Sequence, residues 1–292
     1  MSVMDIYVHL SSVYKMPLVG LGTYRVRGRD VIYTVIDESL NSGYRSFDTA
    51  AVYKNEEDIG YALNKLLPKY ALSRSDLFIT SKLSPSDNGD PQRIRESVLR
   101  SLKWLGTAYL DLYLIHWPGA SGMSENSQQN PELRNLTWRT LVEIQKEGYI
   151  RSIGVSNYNI KHLKELLQNS YGVIPAVNQV ECHPHYSQKE LIDFCKREGI
   201  HVQAYSSLGT SDPTALLKDP VVYSIASDIN VSPARVLLKW AVQQGIGIIP
   251  KAVNKKHIKE NVELNFMLTS SQMETLSNLP QQKYAWDPTN VF

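Results

Sequence analysis

Residues 43–57 have the sequence GYRSFDTAAVYKNEE, in which the end of a buried strand is joined to the start of a helix. The apolar run ends at Phe47, and apolar residues then recur at helical spacing, which predicts a helix over residues 55–67. Asp48 and Tyr53 fall in the connection, five residues apart. A carboxylate and a phenol so placed indicate a site, although a turn residue beside a half-buried packing residue is the simpler alternative.

The same strand-then-helix pattern recurs along the chain. Short apolar runs alternate with amphipathic segments of helix length, which favours βα units around a parallel sheet. Asp90 before a proline predicts the start of one such helix, over residues 91–105. Residues 6–16 alternate around Ser11 and Ser12 and predict an N-terminal β-hairpin. Strands are predicted at residues 18–22, 45–48, 77–81, 112–116, 152–156, 176–181, 201–206 and 246–250.

Eight strands that are each followed by a helix close most simply into a (β/α)8 barrel, the TIM-barrel fold. No shift in composition divides the chain, so one domain over residues 1–292 is predicted. The alternative is a doubly wound sheet of the dinucleotide-binding type. Against it, Arg25 stands where a third glycine would complete a fingerprint begun by Gly20 and Gly22. Residues 207–218 are expected to form a loop after the seventh strand of the barrel.

Charge and cysteine content restrict the possible partners and location. Lysine and arginine total 31 against 29 acidic residues, so a net charge of +2 gives no field that would attract nucleic acid or an anionic membrane. Cys182 and Cys195 are too few for a disulfide framework and suit a reducing compartment. No signal peptide, membrane span or heptad is visible, so a cytoplasmic monomer is expected. The spacing in Cys182-His183-Pro184-His185 matches no common zinc site, and no metal is predicted.

Four polar side chains come at the ends of three consecutive predicted strands of the barrel. Asp48 and Tyr53 follow the second strand, Lys82 the third, and His116 ends the fourth. In a parallel barrel these strand ends meet at one rim. Lys82 alone could be a surface lysine and His116 alone a satisfied core histidine. Charged groups at strand ends are costly to bury unless they pair, so a shared site is predicted.

These four groups suit proton donation to a carbonyl oxygen. A free tyrosine has a pKa of about 10 and needs help to act as an acid and base near neutral pH. A nearby ammonium stabilises its phenolate, and a carboxylate holds that ammonium charged and oriented. Asp48 and Lys82 would supply these interactions to Tyr53. His116 would then bind the substrate oxygen.

Two stretches resemble signatures of the aldo-keto reductase superfamily. Residues 43–60 are similar to its first signature, and residues 150–158, IRSIGVSNY, are similar to its second. The likeness, which runs from about Met16 to the end of the sequence, is greatest to short-loop members that reduce aldehydes and methylglyoxal. It implies a (β/α)8 barrel in which NADPH transfers hydride to an aldehyde or ketone. The implied catalytic tetrad is Asp48, Tyr53, Lys82 and His116.

The substrate class implied by the resemblance is small dicarbonyls, aromatic aldehydes and sugar aldehydes. An open pocket lined with aromatic groups suits such molecules. The alternative is an enzyme-derived NADP(H)-binding protein with a regulatory or structural role and little turnover, and an intact tetrad argues against it. The residues expected around the substrate are Tyr24, Val52, Tyr53, His116, Trp117 and Trp286.

The resemblance also implies a cofactor path along the rim, from the nicotinamide to the adenosine. Without the family, Ser156 and Asn157 could equally cap a helix, and Gln179 could be a core amide. In path order the implied residues are Gly22, Thr23 and Asp48 at the ribose, Ser156, Asn157 and Gln179 at the carboxamide, Tyr205 stacked on the nicotinamide, Ser206, Leu208 and Gly209 along the pyrophosphate, and Lys251, Asn254, Lys255, His257, Glu260 and Asn261 around the adenosine.

The third family signature is imperfect in this chain. Ala252 stands where the family usually has serine or threonine, and His257 stands where an arginine usually binds the 2′-phosphate. Histidine near pH 7 is only partly charged, whereas arginine is always charged. Residues 251–259 nevertheless contain no acidic side chain that would select a ribose diol. A preference for NADPH over NADH is therefore predicted, though a less strict one than is usual in the family.

Overall fold

A computed structural model describes residues 3–210 and 214–292 of the chain. An antiparallel hairpin comes first, in which β1 (Tyr7–His9) pairs with β2 (Lys15–Pro17). Eight parallel strands follow, and their order in the sheet is their order in the chain. They are β3 (Leu21–Gly22), β4 (Ser46–Asp48), β5 (Phe78–Leu83), β6 (Leu110–Ile115), β7 (Ile150–Ser156), β8 (Val177–Glu181), β9 (His201–Tyr205) and β10 (Gly247–Ile248).

Eleven α-helices connect or follow these strands within the described residues. Their bounds are α1 (Arg29–Asn41), α2 (Glu56–Leu66), α3 (Pro91–Leu105), α4 (Asn130–Lys146), α5 (Ile160–Gln168), α6 (Lys189–Arg197), α7 (Thr214–Leu217), α8 (Pro220–Asp228), α9 (Pro233–Gln243), α10 (Lys255–Glu260) and α11 (Ser270–Ser277). No helix in this part of the chain is long and apolar enough to cross a bilayer.

The parallel sheet closes on itself. Val19, just before β3, pairs with Ile248 in β10. The Gly20 amide donates to the Ile248 carbonyl at 2.8 Å, and the Ile248 amide donates to the Leu18 carbonyl at 2.9 Å. Each of the eight strands therefore has two neighbours. The predicted (β/α)8 barrel with an N-terminal hairpin is confirmed, and the open, doubly wound alternative is wrong.

The hairpin fills one end of the barrel. Leu10 and Met16 from the hairpin pack in one buried cluster with side chains from β5, β6 and the start of β8, among them Phe78, Leu112 and Val177. Apolar burial closes this end because the inward-facing side chains have no other route out of water. The carboxyl ends of the strands, at the opposite end, remain available for a site.

Among the strand ends that differ from the predicted ones, two affect the site. β5 continues to Leu83, two residues beyond its predicted end, so Lys82 lies inside the strand. β6 ends at Ile115, so His116 is the first residue after it. The predicted loop over residues 207–218 is wrong in part, because α7 occupies Thr214–Leu217, while residues 211–213 lie outside the described chain. A short helix there was not visible in the periodicity.

We expect Gly60 to be intolerant of any side chain, because α2 and α3 touch at this position. A Cβ on Gly60 would lie 2.2 Å from the Trp104 carbonyl oxygen and 2.8 Å from backbone atoms of Leu105. Overpacking of this kind costs about 1–3 kcal/mol. Urea denaturation should show that loss for Gly60→Ala. Gly119→Ala is the control, since a Cβ there meets nothing nearer than 3.4 Å, and an equal loss in both variants would contradict the expectation.

Candidate active site

A buried ion pair lies at the open end of the barrel. Lys82 is 0% exposed, and its Nζ lies 2.6 Å from Asp48 Oδ1 at the end of β4. The same ammonium donates to the Thr49 carbonyl at 2.9 Å. Burial lowers the pKa of Lys82, and the Asp48 carboxylate opposes that shift. Removing either partner would leave a buried charge without compensation, so the two side chains depend on each other.

The Tyr53 hydroxyl lies next to this pair. Tyr53 ends a 3-10 turn, Ala51–Tyr53, that follows β4, and its hydroxyl is 3.4 Å from Lys82 Nζ. Burial, and then the negative charge of Asp48, raise the pKa of Tyr53 well above 10. Tyr53 is therefore a neutral phenol that can donate a proton. The ammonium beside it would stabilise the phenolate that remains after donation.

His116 faces Tyr53 across the mouth of the barrel. The two rings meet edge to face, with centroids 5.7 Å apart. His116 Nδ1 is buried and has no hydrogen-bond partner among the described residues, which leaves Nε2 as the accessible ring nitrogen. Burial, and then the charge of Lys82, lower the pKa of His116 to about 3. His116 is thus a neutral imidazole that can form a hydrogen bond with an oxygen near the Tyr53 hydroxyl.

Gln179 in β8 connects to the ion pair. Its Nε2 donates to Asp48 Oδ2 at 2.8 Å and to Gln203 Oε1 at 2.8 Å. Both amide hydrogens are therefore used within the protein, and the carbonyl Oε1 is left as an acceptor. Any ligand amide that binds Gln179 would have to donate to this oxygen.

Asn157 holds other site residues rather than presenting free hydrogens. Its Nδ2 donates to the His116 carbonyl at 3.0 Å and to Ser156 Oγ at 3.1 Å, and its Oδ1 accepts from the Tyr205 hydroxyl at 2.6 Å. Ser156 Oγ in turn donates to the Gln179 carbonyl at 2.8 Å. Asn157 has a left-handed backbone with φ 65°, a conformation that asparagine tolerates better than most residues. The group predicted to contact the carboxamide is thus one hydrogen-bonded network across β7, β8 and β9.

Two aromatic side chains line the open end of the barrel beyond Tyr53. The Tyr24 ring is 5.1 Å from the Tyr53 ring, and the Trp286 ring is 6.0 Å from Tyr24 in an edge-to-face contact. Trp286 is 61% exposed. Val52 is exposed as well, and Trp117 is half-buried, with its carbonyl accepting from Asn88. Of the residues predicted around the substrate, the structure joins Tyr24, Tyr53, His116 and Trp286 by ring contacts, which do not extend to Trp117.

The residues predicted at the ribose and the pyrophosphate mostly contact the backbone of neighbouring strands and loops at the open end of the barrel. A Cβ on Gly22 would lie 2.5 Å from the Ile249 carbonyl oxygen, so closure of the barrel itself requires glycine there. Thr23 is buried, and its amide and hydroxyl donate to the Asp48 carbonyl at 3.1 and 2.9 Å. After β9, the Gly209 amide donates to the Ser206 carbonyl at 2.8 Å in a tight turn. Leu208, between them, packs against the main core.

The residues predicted around the adenosine surround α10. Asn254 caps this helix by accepting from the Lys256 amide at 2.9 Å. Lys255 Nζ lies 2.5 Å from Glu38 Oε1, while Lys251 and His257 are exposed. At the end of α10, Glu260 is half-buried and Asn261 is buried. The Nδ2 of Asn261 is a buried donor without a partner in the described chain.

One residue that joins two loops of the site was missed as a site residue by sequence reasoning. Asn55 Oδ1 accepts from the Thr49 hydroxyl at 2.6 Å, and its Nδ2 donates to the carbonyls of Thr23 and Val26 at 3.0 and 3.1 Å. Asn55 therefore ties the loop that carries Tyr24 to the loop after β4. Its only sequence signal is its position at the predicted helix start.

Gln203 was missed as well, although strand alternation points to it. It lies two residues before Tyr205 in β9, so both side chains are on one face of the strand.

The histidines of residues 182–185, the segment that superficially resembles a metal site, contact other side chains of this chain. His183 Nε2 lies 3.0 Å from Glu181 Oε1, and His185 contacts Tyr284 and Asp219. Across residues 3–210 and 214–292, no group of three or more metal-type side chains comes together.

Comparison with known proteins identifies the family. The model of the aldo/keto reductase family matches residues 18–280. A glyoxal reductase of Bacillus subtilis is 39% identical over 93% of this chain and 92% of its own length. Glycerol 2-dehydrogenase (NADP(+)) of Saccharomyces cerevisiae is 36% identical over 97% and 96%. The solved structure of the aldose reductase from Schistosoma japonicum superimposes with a TM-score of 0.86 at 31% identity, covering 95% of this chain and 93% of that one.

The chain belongs to the aldo/keto reductase family, which confirms the resemblance in residues 43–60 and 150–158. It is an enzyme that acts on carbonyl compounds.

We expect His116 to stay neutral throughout the working pH range. Its pKa is about 3 in the folded protein, against about 6.5 for a free histidine. Because the folded pKa is the lower one, His116 contributes stability that is present above about pH 6.5 and is lost as the pH falls towards 3. The imidazole NMR shifts of His116 in the folded protein should not change between pH 8 and 5, whereas in urea-unfolded protein they should change with a midpoint near 6.5. A folded-state titration of His116 near 6.5 would contradict this.

Proposed function

We propose that this enzyme reduces aldehydes and ketones to alcohols with NADPH, and that Tyr53 is the proton donor. The observation that carries the proposal is the position of Lys82 Nζ, 2.6 Å from Asp48 Oδ1 and 3.4 Å from the Tyr53 hydroxyl. A buried phenol next to a buried ammonium is an acid whose conjugate base is stabilised where it forms.

Each of the four side chains has a separate role in reduction of the carbonyl group. Tyr53 donates its proton to the carbonyl oxygen as that oxygen becomes negative. Lys82 stabilises the resulting phenolate, and Asp48 holds Lys82 charged inside the barrel. His116, neutral and edge-on to Tyr53, hydrogen-bonds the same oxygen and fixes its approach. Fixed donors aimed at a developing oxyanion are worth more in a dry site than in water.

Several features near the rim suit NADPH. The cofactor would supply the hydride when bound. Gln179 Oε1 is left as an acceptor suited to a carboxamide NH2, because both hydrogens of Gln179 are already used. At the other end, Asn261 Nδ2 is a buried donor that an acceptor on the adenine would satisfy. Tyr205, held by Asn157 in the same hydrogen-bonded network as Gln179, offers a ring for the nicotinamide to stack on.

The positive charge around the 2′-phosphate would come mainly from Lys251 and His257. Lys255, predicted near the adenosine, has its charge balanced by Glu38 at 2.5 Å, and Lys256 lies 3.7 Å from Glu260. No ion pair joins Lys251 to a carboxylate within the described residues. We therefore expect a preference for NADPH that rests on Lys251 and is weaker than an arginine at position 257 would provide.

Small dicarbonyls and aromatic or sugar aldehydes are the proposed substrates. The mouth between Tyr24, Tyr53 and Trp286 is aromatic and open to solvent. The similarity to a glyoxal reductase and to an aldose reductase supports the same classes.

Tyr53→Phe should abolish reduction without weakening NADPH binding. Removing a general acid typically costs about 10²–10⁴-fold in rate, while the Tyr53 hydroxyl has no part in holding the cofactor. Steady-state kinetics with methylglyoxal and fluorescence titration with NADPH measure the two effects. Tyr61→Phe, an exposed tyrosine of α2, is the matched control and should retain full activity. Substantial turnover by Tyr53→Phe would refute the proposed mechanism.

Lys251→Met should reduce the use of NADPH far more than that of NADH. A lost hydrogen bond to a charged phosphate corresponds to roughly a tenfold to hundredfold fall in kcat/KM. His257→Arg should change the ratio of the two cofactors in the opposite direction. Lys259→Met, in the helix α10 that also carries His257, is the control, because that lysine is exposed and lies 4.0 Å from Glu263. If Lys251→Met lowers kcat/KM equally for NADPH and NADH, the 2′-phosphate is bound elsewhere.

A further inference from the structure

Glu181, at the end of β8, anchors a segment about a hundred residues further along the chain. Its side chain is fully buried. Oε2 accepts from Lys283 Nζ at 2.7 Å and from the Ala285 amide at 3.0 Å, while Oε1 accepts from the Tyr284 amide at 2.6 Å. His183 Nε2 donates to Oε1 at 3.0 Å. One carboxylate thus receives four hydrogen bonds, three of them from consecutive residues of the distant segment.

The histidine-containing stretch after β8 completes this anchor. The His183 ring stacks on the Tyr284 ring, with centroids 5.1 Å apart. His185 Nε2 donates to Asp219 Oδ2 at 3.0 Å, so its Nδ1 accepts from the Tyr284 hydroxyl at 2.7 Å. Gln281 Nε2 donates to the carbonyl of Pro184 at 3.0 Å. The residues that superficially resemble metal ligands therefore form a binding surface for residues 281–285.

The same segment is held again at its other end. Val291 is 1% exposed, and its carbonyl accepts from His162 Nε2 at 2.9 Å. The Phe292 backbone oxygen accepts from Arg134 Nη1 at 2.7 Å, and its amide donates to the Glu125 carbonyl at 2.7 Å. Residues 281–292, called the strap here, are thus attached to the barrel at both ends.

Trp286 lies between the two attachments, one residue after the last hydrogen bond to Glu181. It contacts the Tyr24 ring at 6.0 Å, and Tyr24 contacts the Tyr53 ring at 5.1 Å. Although Trp286 is 61% exposed, the hydrogen bonds to Ala285 and Tyr284 restrict the backbone that carries it. The strap therefore places one wall of the carbonyl pocket.

The charge pattern makes the attachment strong. Burial by itself would raise the pKa of Glu181, but the hydrogen bonds from His183, Lys283 and the Tyr284 amide outweigh it and lower that pKa to about 2. Glu181 is thus ionised at every working pH. A buried carboxylate needs its partners, so releasing the strap would leave this charge uncompensated.

We propose that Glu181 and Lys283 are positioning residues that fix Trp286 over the carbonyl pocket and thereby set the discrimination between aromatic aldehydes and small dicarbonyls. The inference rests on the proposed reductase function and adds a determinant of its specificity. An aromatic aldehyde bound at the Tyr53 hydroxyl carries a ring that can pack against the Tyr24 and Trp286 side chains, whereas methylglyoxal has no ring to do so. Loosening the strap should therefore raise KM for the aromatic substrate and leave kcat unchanged.

The test compares Lys283→Met with the charge-retaining Lys283→Arg, each alone and combined with Trp286→Ala. For benzaldehyde, Lys283→Met and Trp286→Ala should each raise KM roughly threefold to tenfold, the range of one aromatic contact. In Lys283→Met, the methylglyoxal KM and the kcat values for both substrates should stay within about twofold of the original enzyme. Lys283→Arg should recover most of the benzaldehyde KM. The double variant should equal Trp286→Ala alone, because Lys283 acts through Trp286.

Three results would overturn the proposal. The first is an equal change of KM for both substrates, and the second is an additive effect in the double variant. The third is no effect of Trp286→Ala, an exposed position whose substitution leaves the core intact.

Hydrogen exchange separates this proposal from failure of the reductase function itself. Amides of residues 281–287 should exchange faster in Lys283→Met than in the original protein, but not in the exposed control Lys189→Met. Unchanged exchange in Lys283→Met refutes the anchoring role, whatever the enzyme reduces. Faster exchange in an enzyme inactive on both aldehydes supports the anchor and refutes the proposed substrates instead.

Discussion

The site depends on one buried ion pair, Lys82 with Asp48, 2.6 Å apart inside the barrel. A lysine with no exposure is tolerated only where a carboxylate and a carbonyl replace its water, and Asp48 at the end of β4 and the following Thr49 provide them. Burial is the main reason that Tyr53 and His116 are neutral, and the ion pair reinforces both states. Asp48 adds to the raised pKa of Tyr53, and Lys82 adds to the lowered pKa of His116. A neutral acid and a neutral imidazole thus face each other.

The barrel architecture brings Asp48 and Lys82 together. Parallel strands bring their carboxyl ends to one edge, and the N-terminal hairpin fills the opposite end with apolar side chains. The open end is then lined by polar groups that pair with one another, from Asp48 through Gln179 to Gln203. Such a network is favourable because its members have partners. Two of the buried atoms that lack a partner among the described residues, His116 Nδ1 and Asn261 Nδ2, lie at the site and near the predicted adenosine position.

Two hydrogen-bonded attachments outside the tetrad position the aromatic side chains around the substrate site. Asn55 ties the loop of Tyr24 to the loop after β4, and Glu181 ties the strap of Trp286 to the end of β8. Both are hydrogen-bonded anchors that do not touch the reacting atoms. The proposed division is therefore between a buried proton-donating centre in the barrel and an opening whose shape is set by segments hydrogen-bonded to the barrel.

Local periodicity that repeats along the chain was enough to predict the (β/α)8 barrel and the hairpin. It also indicated that Asp48, Tyr53, Lys82 and His116 would meet, since parallel strand ends share an edge. The folded structure was needed to show that Lys82 lies within β5, that Glu38 pairs with Lys255, and that Glu181 pairs with Lys283. These partners are 217 and 102 positions apart, and periodicity carries no information about contacts between such distant residues. What a charged side chain can do here depends on which opposite charge the folded chain places beside it.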